Sequence, residues 1–345
     1  MLPIERVLAV LNHQEPDRVP VYPLINSISR NYLGIDYAEW TKDVDKCAEC
    51  IIQATRDIGV DVVCSLVDLS VEAADWGMPM RYPPDAAAGP DTGVHLINSK
   101  EDFEKVIRLN PRETPRMSGH IRLVQKLMDE LGSEYPVVAF VFAPLGLLSM
   151  LTGLARLLKF MVKSPDIIHK ALRNVTDTLK DYILALHETG CPAIMFDTLY
   201  ASQSILSPQM WDAFEGPYVQ ELAELVHGLG MMVMIHNCGN GIYFKEQIAR
   251  MRPEAISTLH MPPDCASMEE CKEKYGSQTT IIGCIPPEML ATATEEEVRA
   301  ECRREIDIFK KDGGFILATG CEYPSAMEDH YARVIVEEAR TYGRY

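Results

Sequence analysis

His236 and Cys238 stand two residues apart behind the apolar run 231–235, and Gly239 and Gly241 follow them. In extended chain that spacing turns both side chains to one face, and the glycines then let the backbone turn away. An imidazole and a thiol so placed form a metal-binding pair. Cys321, behind the apolar run 315–318 and directly after Gly320, offers a third ligand. One nitrogen and two sulfurs suit Zn²⁺ by softness, and three protein ligands leave the fourth tetrahedral place open, as catalytic zinc requires. Cys284, in Gly283-Cys284-Ile285-Pro286-Pro287, reads as a spare ligand or a wall residue. As a fourth ligand it would close the site and make the metal structural.

Carboxylates occupy comparable positions. Asp68 and Glu72 follow the run 60–67, and Asp197 and Tyr200 follow the run 193–196. Carboxyl groups clustered in one pocket push their pKa values apart and serve as acids, bases or a further zinc ligand; the plainer role is to cap the helix that follows. Asp197 and Glu72 are the expected catalytic groups, with Asp68, Tyr200, Asn237 and His260 binding substrate. His260, after the run 255–259, either supports the site from behind or is simply packed. Cys64, Cys191, Cys265, Cys271 and Cys302 read as small core residues. Cys47 and Cys50 have Cys-x-x-Cys form but lie inside a helical pattern without a second pair, at a surface or half-buried position.

Each of these side chains sits just beyond a short apolar run, and the runs set the fold. They cover 19–22, 60–67, 137–142, 193–196, 231–235, 255–259, 280–283 and 315–318, and they alternate with helical patterns at 43–58, 165–189, 208–229, 268–275, 295–311 and 325–342. Ser164-Pro165 and Ser207-Pro208 each supply a cap and a first-turn proline. Eight strands separated by helices predict parallel crossovers that close into a (β/α)8 TIM barrel, an α/β fold whose C-terminal strand ends face the active site. An open doubly wound sheet would carry Gly-x-Gly-x-x-Gly after an early strand, and none does. The chain reads as one domain over 1–345, with a proline-rich, lid-like insertion at about 69–98. The uncharged stretch 136–155 has the length of a bilayer span, but Pro144, Gly146 and Gly153 break it into a strand followed by a helix.

The composition is that of a globular protein: 345 residues, 47% apolar and 24% charged. With 33 Lys and Arg against 50 Asp and Glu the net charge is −17, which disfavours nucleic acid or an anionic membrane as partner and favours a small substrate or another protein. Ten cysteines without regular spacing, and no charged-then-apolar leader at the first residues, predict reduced thiols and a cytoplasmic protein. The oligomeric state is left open.

Pro16-Asp17-Arg18-Val19-Pro20-Val21, Phe196-Asp197-Thr198, Ser207-Pro208 and Phe214-Glu215-Gly216-Pro217-Tyr218 together resemble the uroporphyrinogen decarboxylase superfamily over most of the chain. The resemblance implies the same barrel. The decarboxylase itself grips its tetrapyrrole with an early Gln-Ala-Gly-Arg-Tyr segment, whereas this chain has Asn26-Ser27-Ile28-Ser29-Arg30-Asn31-Tyr32 there. His236-x-Cys238 with the late Gly320-Cys321 is similar instead to the zinc site of the corrinoid-dependent methyltransferases of that superfamily. That likeness implies methyl transfer between a small methylated donor and the cobalt of a corrinoid (cobalamin) carried by a partner protein, with Zn²⁺ as Lewis acid. A methoxylated aromatic donor, lodged among Tyr200, Met231, Trp76 and Tyr82, is favoured; a coenzyme M acceptor would need a cation for its sulfonate, and no Lys or Arg directly follows a mouth-facing strand. A metal-free tetrapyrrole decarboxylase and a non-catalytic barrel are the alternatives.

Overall fold

The computed structural model describes residues 1–91 and 93–345. Seven parallel strands form one curled sheet in chain order: β1 (Val63–Cys64), β2 (Val137–Phe142), β3 (Ala193–Asp197), β4 (Met232–Asn237), β5 (Ala255–Thr258), β6 (Thr280–Ile285) and β7 (Phe315–Thr319). Helices cover the outside, as parallel connections require. Residues 19–22 fill the eighth place. Leu317 N–H bonds Pro20 O at 2.9 Å and Tyr22 N–H bonds Leu317 O at 2.8 Å, while on the other side Asp61 N–H bonds Val21 O at 2.8 Å. This segment makes a single bridge, Val21 to Leu317, rather than a ladder. Pro20 has no N–H to give, and Val21 N–H is taken at 2.9 Å by the Asp61 carboxylate instead of a strand carbonyl.

Alternation along the strands separates two apolar layers. Cys64, Phe140, Met195, Met234, Ile282 and Ile316 point into the barrel, where Val7 and Val10 of the helix Pro3–Leu11 plug the end at which the strands begin. The intervening residues, such as Val141, Phe196, Ile235 and Leu317, pack outward against helices. Asp197 continues the inward set of β3 and His236 that of β4, so the alternation that fills the core also delivers polar groups to the mouth.

Several expected boundaries move. The long helix expected at 208–229 is two, Pro208–Phe214 and Gly216–Gly228. Pro217 cannot donate to the turn before it, and the Glu215 carboxylate turns back to accept Trp211 Nε1–H at 2.8 Å and Leu145 N–H at 3.1 Å. Ser207 caps as expected, accepting Met210 N–H at 3.2 Å, but Ser164 makes no such bond. The last helix begins at His330, not 325. Within 69–98 lie a short helix, Val71–Asp75, and a small hairpin pairing Met80–Arg81 with Gly89–Pro90; residue 92 is outside the described residues. Among the described residues no single helix is long and apolar enough to cross a membrane. The pair Pro144–Thr152 and Leu154–Lys163 reaches that length only together, and bends by 109° between them.

Candidate metal centre

One nitrogen of His236 and the sulfurs of Cys238 and Cys321 lie within 4.8 Å of one another at the barrel mouth. The register explains how. Asp197, His236 and Ser257 are paired neighbours on β3, β4 and β5, so they form one row facing inward, and Cys238 follows His236 by one strand repeat. Cys321 arrives beyond the end of β7. Glycine permits both approaches: a Cβ on Gly239 would stand 2.6 Å from Ser202 Oγ, and one on Gly320 would stand 2.6 Å from Leu259 Cα. Gly241 then turns at φ +71°, a conformation that favours glycine.

The electrostatics mark the trio as unlike the other cysteines. The Cys321 thiol is lowered by a hydrogen bond from Cys238 and by His236, against the effect of burial, while the same bond and burial raise Cys238. Burial opposes charge on His236, but Cys321 and Asp197 raise it above the usual histidine range. Two thiols beside an imidazole form a set that a dication would deprotonate and bind. His236 Nδ1 lies 3.0 Å from Ser257 Oγ, which leaves Nε2 for a metal. Two soft thiols and one oriented imidazole fit Zn²⁺ with an open fourth place.

Cys284 does not join them. It is buried in the outer apolar layer, where its own N–H donates to the Glu305 carboxylate at 2.7 Å, because β6 turns it away from the barrel interior. The Cys47 and Cys50 pair is likewise fully buried in the helix Val44–Ala54, deeper than the sequence suggested, while Cys265 is half-buried rather than core.

Asp197 is the carboxyl of the row beside His236; burial raises it to about 6, against the pull of His236, and its Oδ1 accepts Leu199 N–H at 3.1 Å. Glu72 is raised by burial to about 7 and accepts Phe142 N–H at 3.0 Å. Asp68 is tied by short contacts to Arg116 and Thr41 and accepts Ser70 N–H at 2.8 Å, so its oxygens are committed to the wall. Asn237 spends its amide on the loop: Nδ2 donates to Thr198 O at 2.6 Å and Oδ1 accepts Gly239 N–H at 2.9 Å. His260 is half-buried, its carbonyl accepting Thr258 Oγ1–H at 2.6 Å. Tyr200 is buried near Asp197 and Glu215, its hydroxyl pushed by burial up to about 12.

Three of the expected pocket residues lie elsewhere. Met231 precedes β4, at the end away from the mouth, because the strand begins one residue later than its apolar run. Trp76 is anchored outward, donating Nε1–H to Ile107 O at 2.9 Å, and Tyr82 lies under the cations of Lys42 and Arg116.

Three groups to which the sequence reading gave no role also belong here. Ser257 sits inside a strand, and only the register against β4 reveals it. Glu215 interrupts a helical pattern just before Gly216-Pro217, a signal that a helix ends there. Glu322, next to Cys321, accepts Ser27 N–H at 3.0 Å and is raised by burial to about 7.

Comparison with known proteins accords with this architecture. The chain is 23% identical to methylcobamide:CoM methyltransferase MtbA of Methanosarcina mazei, over 99% of this chain and 98% of that one. It is 24% identical to uroporphyrinogen decarboxylase of Xylella fastidiosa, over 91% and 90% respectively. A solved methyltransferase structure from Methanosarcina mazei superposes with a TM-score of 0.83 at 18% identity, covering 99% of both chains, which bears on the fold. The family model for uroporphyrinogen decarboxylase (URO-D) matches residues 2–342, and the chain therefore belongs to the uroporphyrinogen decarboxylase family.

Proposed function

We propose that this protein is a zinc-dependent methyltransferase that moves a methyl group from a small methylated donor to the cobalt of a corrinoid held by a partner protein. The observation that carries the reading is the convergence of His236, Cys238 and Cys321 within 4.8 Å. Bound there, Zn²⁺ supplies Lewis acidity to the heteroatom that carries the methyl group. His236 presents Nε2 because Ser257 holds Nδ1. Cys321 and Cys238 supply two negative charges, so the loaded site is electrically balanced and accepts a neutral donor. Asp197, whose carboxyl is raised by burial to about 6, stands in the same row and relays a proton to the departing oxygen or nitrogen. Glu72 and Glu215 clamp the backbone at Phe142 and Leu145, which fixes the adjoining wall. A methoxylated aromatic donor remains the favoured substrate, with Tyr200 as the aromatic wall near the row.

The likeness to MtbA along nearly the whole chain favours a second reading, transfer from methylcobamide to a thiol. Tetrapyrrole decarboxylation is disfavoured by Arg30, the arginine remaining in the early segment. It donates to Ser27 O and Ser325 O, both at 2.8 Å, and its guanidinium stacks over Tyr37. It is therefore spent within the protein rather than offered to propionates.

The test is metal content of wild type beside His236→Ala, followed by assay with a corrinoid protein and a panel of methoxyarenes, methylamines and thiols. About one zinc per chain, lost in the variant, with methyl transfer from one donor class, is the expected result. Absence of zinc from wild type, or decarboxylation of uroporphyrinogen without metal, overturns it.

A further inference from the structure

The two ligand-bearing strands, β4 and β7, are separated by β5 and β6. No ligand comes from β5, yet its end touches both sides of the site. Ser257 Oγ meets His236 Nδ1 at 3.0 Å. Two residues on, Leu259 lies against Gly320 so closely that a Cβ there would stand 2.6 Å from its Cα. Gly320 immediately precedes Cys321.

We propose that Ser257 is a positioning residue that sets which nitrogen of His236 binds the metal. The inference rests on the zinc reading above. A neutral imidazole carries one proton, and only the nitrogen without it can ligate. An acceptor facing Nδ1 draws the proton there and frees Nε2. Ser257 is fully buried, and among the described residues the imidazole is the side chain its hydroxyl bonds. His236 and Ser257 are paired in register on adjacent parallel strands, so the backbone ladder, not a mobile loop, sets the distance. The choice of serine has its own effect. A carboxylate on Nδ1 would add a negative charge behind the ligand, whereas a hydroxyl orients the ring and leaves the balance of two thiolates and a dication unchanged.

Zinc affinity of the full chain, measured by competition with a chromogenic chelator, tests this in wild type, Ser257→Ala and Ser257→Thr. Ser257→Ala is expected to bind zinc about 10-fold to 100-fold more weakly, and Ser257→Thr, which keeps the hydroxyl, to recover most of that loss. Nitrogen-15 NMR of the His236 ring in the zinc-loaded chain gives a readout that general loosening would not move: Nδ1–H with the metal on Nε2 in wild type and in Ser257→Thr, a mixture of the two linkages in Ser257→Ala. Should Ser257→Ala fail to fold, Ser257→Cys, similar in volume and a poorer acceptor, is expected to lie between. Zinc affinity within about twofold of wild type and an unchanged tautomer in the Ala or Cys variant would overturn the role of Ser257 while leaving the metal site standing. A wild-type chain that takes up no zinc overturns both.

Discussion

Two buried clusters of ionisable side chains lie at opposite ends of the barrel, and they are built on opposite plans. Where the strands begin, Arg6 and Arg18 both reach Asp61, at 2.8 and 2.7 Å, Arg6 also grips Asp17 at 2.7 Å, and Asp61 bonds Val21 N–H. Every charge there has an opposite charge. Where the strands end, Glu72, Glu215 and Glu322 are each raised by burial to about 7, and each accepts a backbone N–H rather than a cation. Beside them stand two thiols and an imidazole. Buried charge with a full set of counterions can only stabilise or destabilise, whereas buried acids without counterions exchange protons near neutrality. The contrast marks the mouth as the end where buried groups can exchange protons.

The largest expected effect comes at the mouth. Cys321→Ala removes the thiol on which both other ligands converge, and elemental analysis is expected to find no zinc in a chain that still folds. At the other end, Asp61→Ala leaves Arg18 without a charged partner and Arg6 with Asp17 alone, and urea denaturation is expected to show a loss of about 3–5 kcal/mol. Zinc content per folded chain should be untouched, and zinc loss would mean that the ends are coupled. Asp197→Asn keeps the shape of the row but removes its acid, so zinc is retained while methyl transfer falls by about 100-fold or more. A smaller effect distinguishes the two plans by pH. Burial raises Glu72 and Glu215 to about 7 in the folded protein, above the usual range of a glutamate, so the folded state binds more protons than the unfolded chain between those limits. Their contribution is full below about 4.5 and is lost as pH rises through about 7. Asp17, lowered first by its hydrogen bond to Arg6, behaves in reverse and loses its contribution as pH falls below the usual range of an aspartate. The denaturation midpoint is therefore expected to rise between pH 7.5 and pH 5.5 and to fall at lower pH. A midpoint flat across the upper window would mean that the two glutamates are ionised in the folded protein.

Much of this was legible in the sequence because period-two alternation and turn residues encode local geometry. The eight apolar runs mark the strand positions, and His236-x-Cys238 brings two ligands to one face by spacing alone. Cys321 was within reach because a barrel sends every strand end to the same mouth. What could not be read depends on register and on backbone partners. Ser257 looks like any serine in a strand until β5 is aligned with β4. Cys284 was expected near the mouth from its place at a run's end, but its side chain enters the outer layer. Glu72 and Asp68 look alike in sequence, yet one accepts a backbone N–H and the other is held by Arg116. Met231 was expected to line the donor pocket, but apolar character does not say which end of a strand a residue occupies.

The eighth place in the barrel has a consequence for how the molecule is made. Residues 19–22 lie far in sequence from the residues they pair with: Pro20 and Tyr22 find their strand partner in Leu317, and Val19 N–H bonds Gly343 O at 2.8 Å. The segment around Leu317 must be in place before that seam can shut, and closing so long a loop is entropically costly. Until then the thiols and carboxyls stand on an open, incomplete cylinder. The chamber at the mouth is complete only when β7 meets residues 19–22.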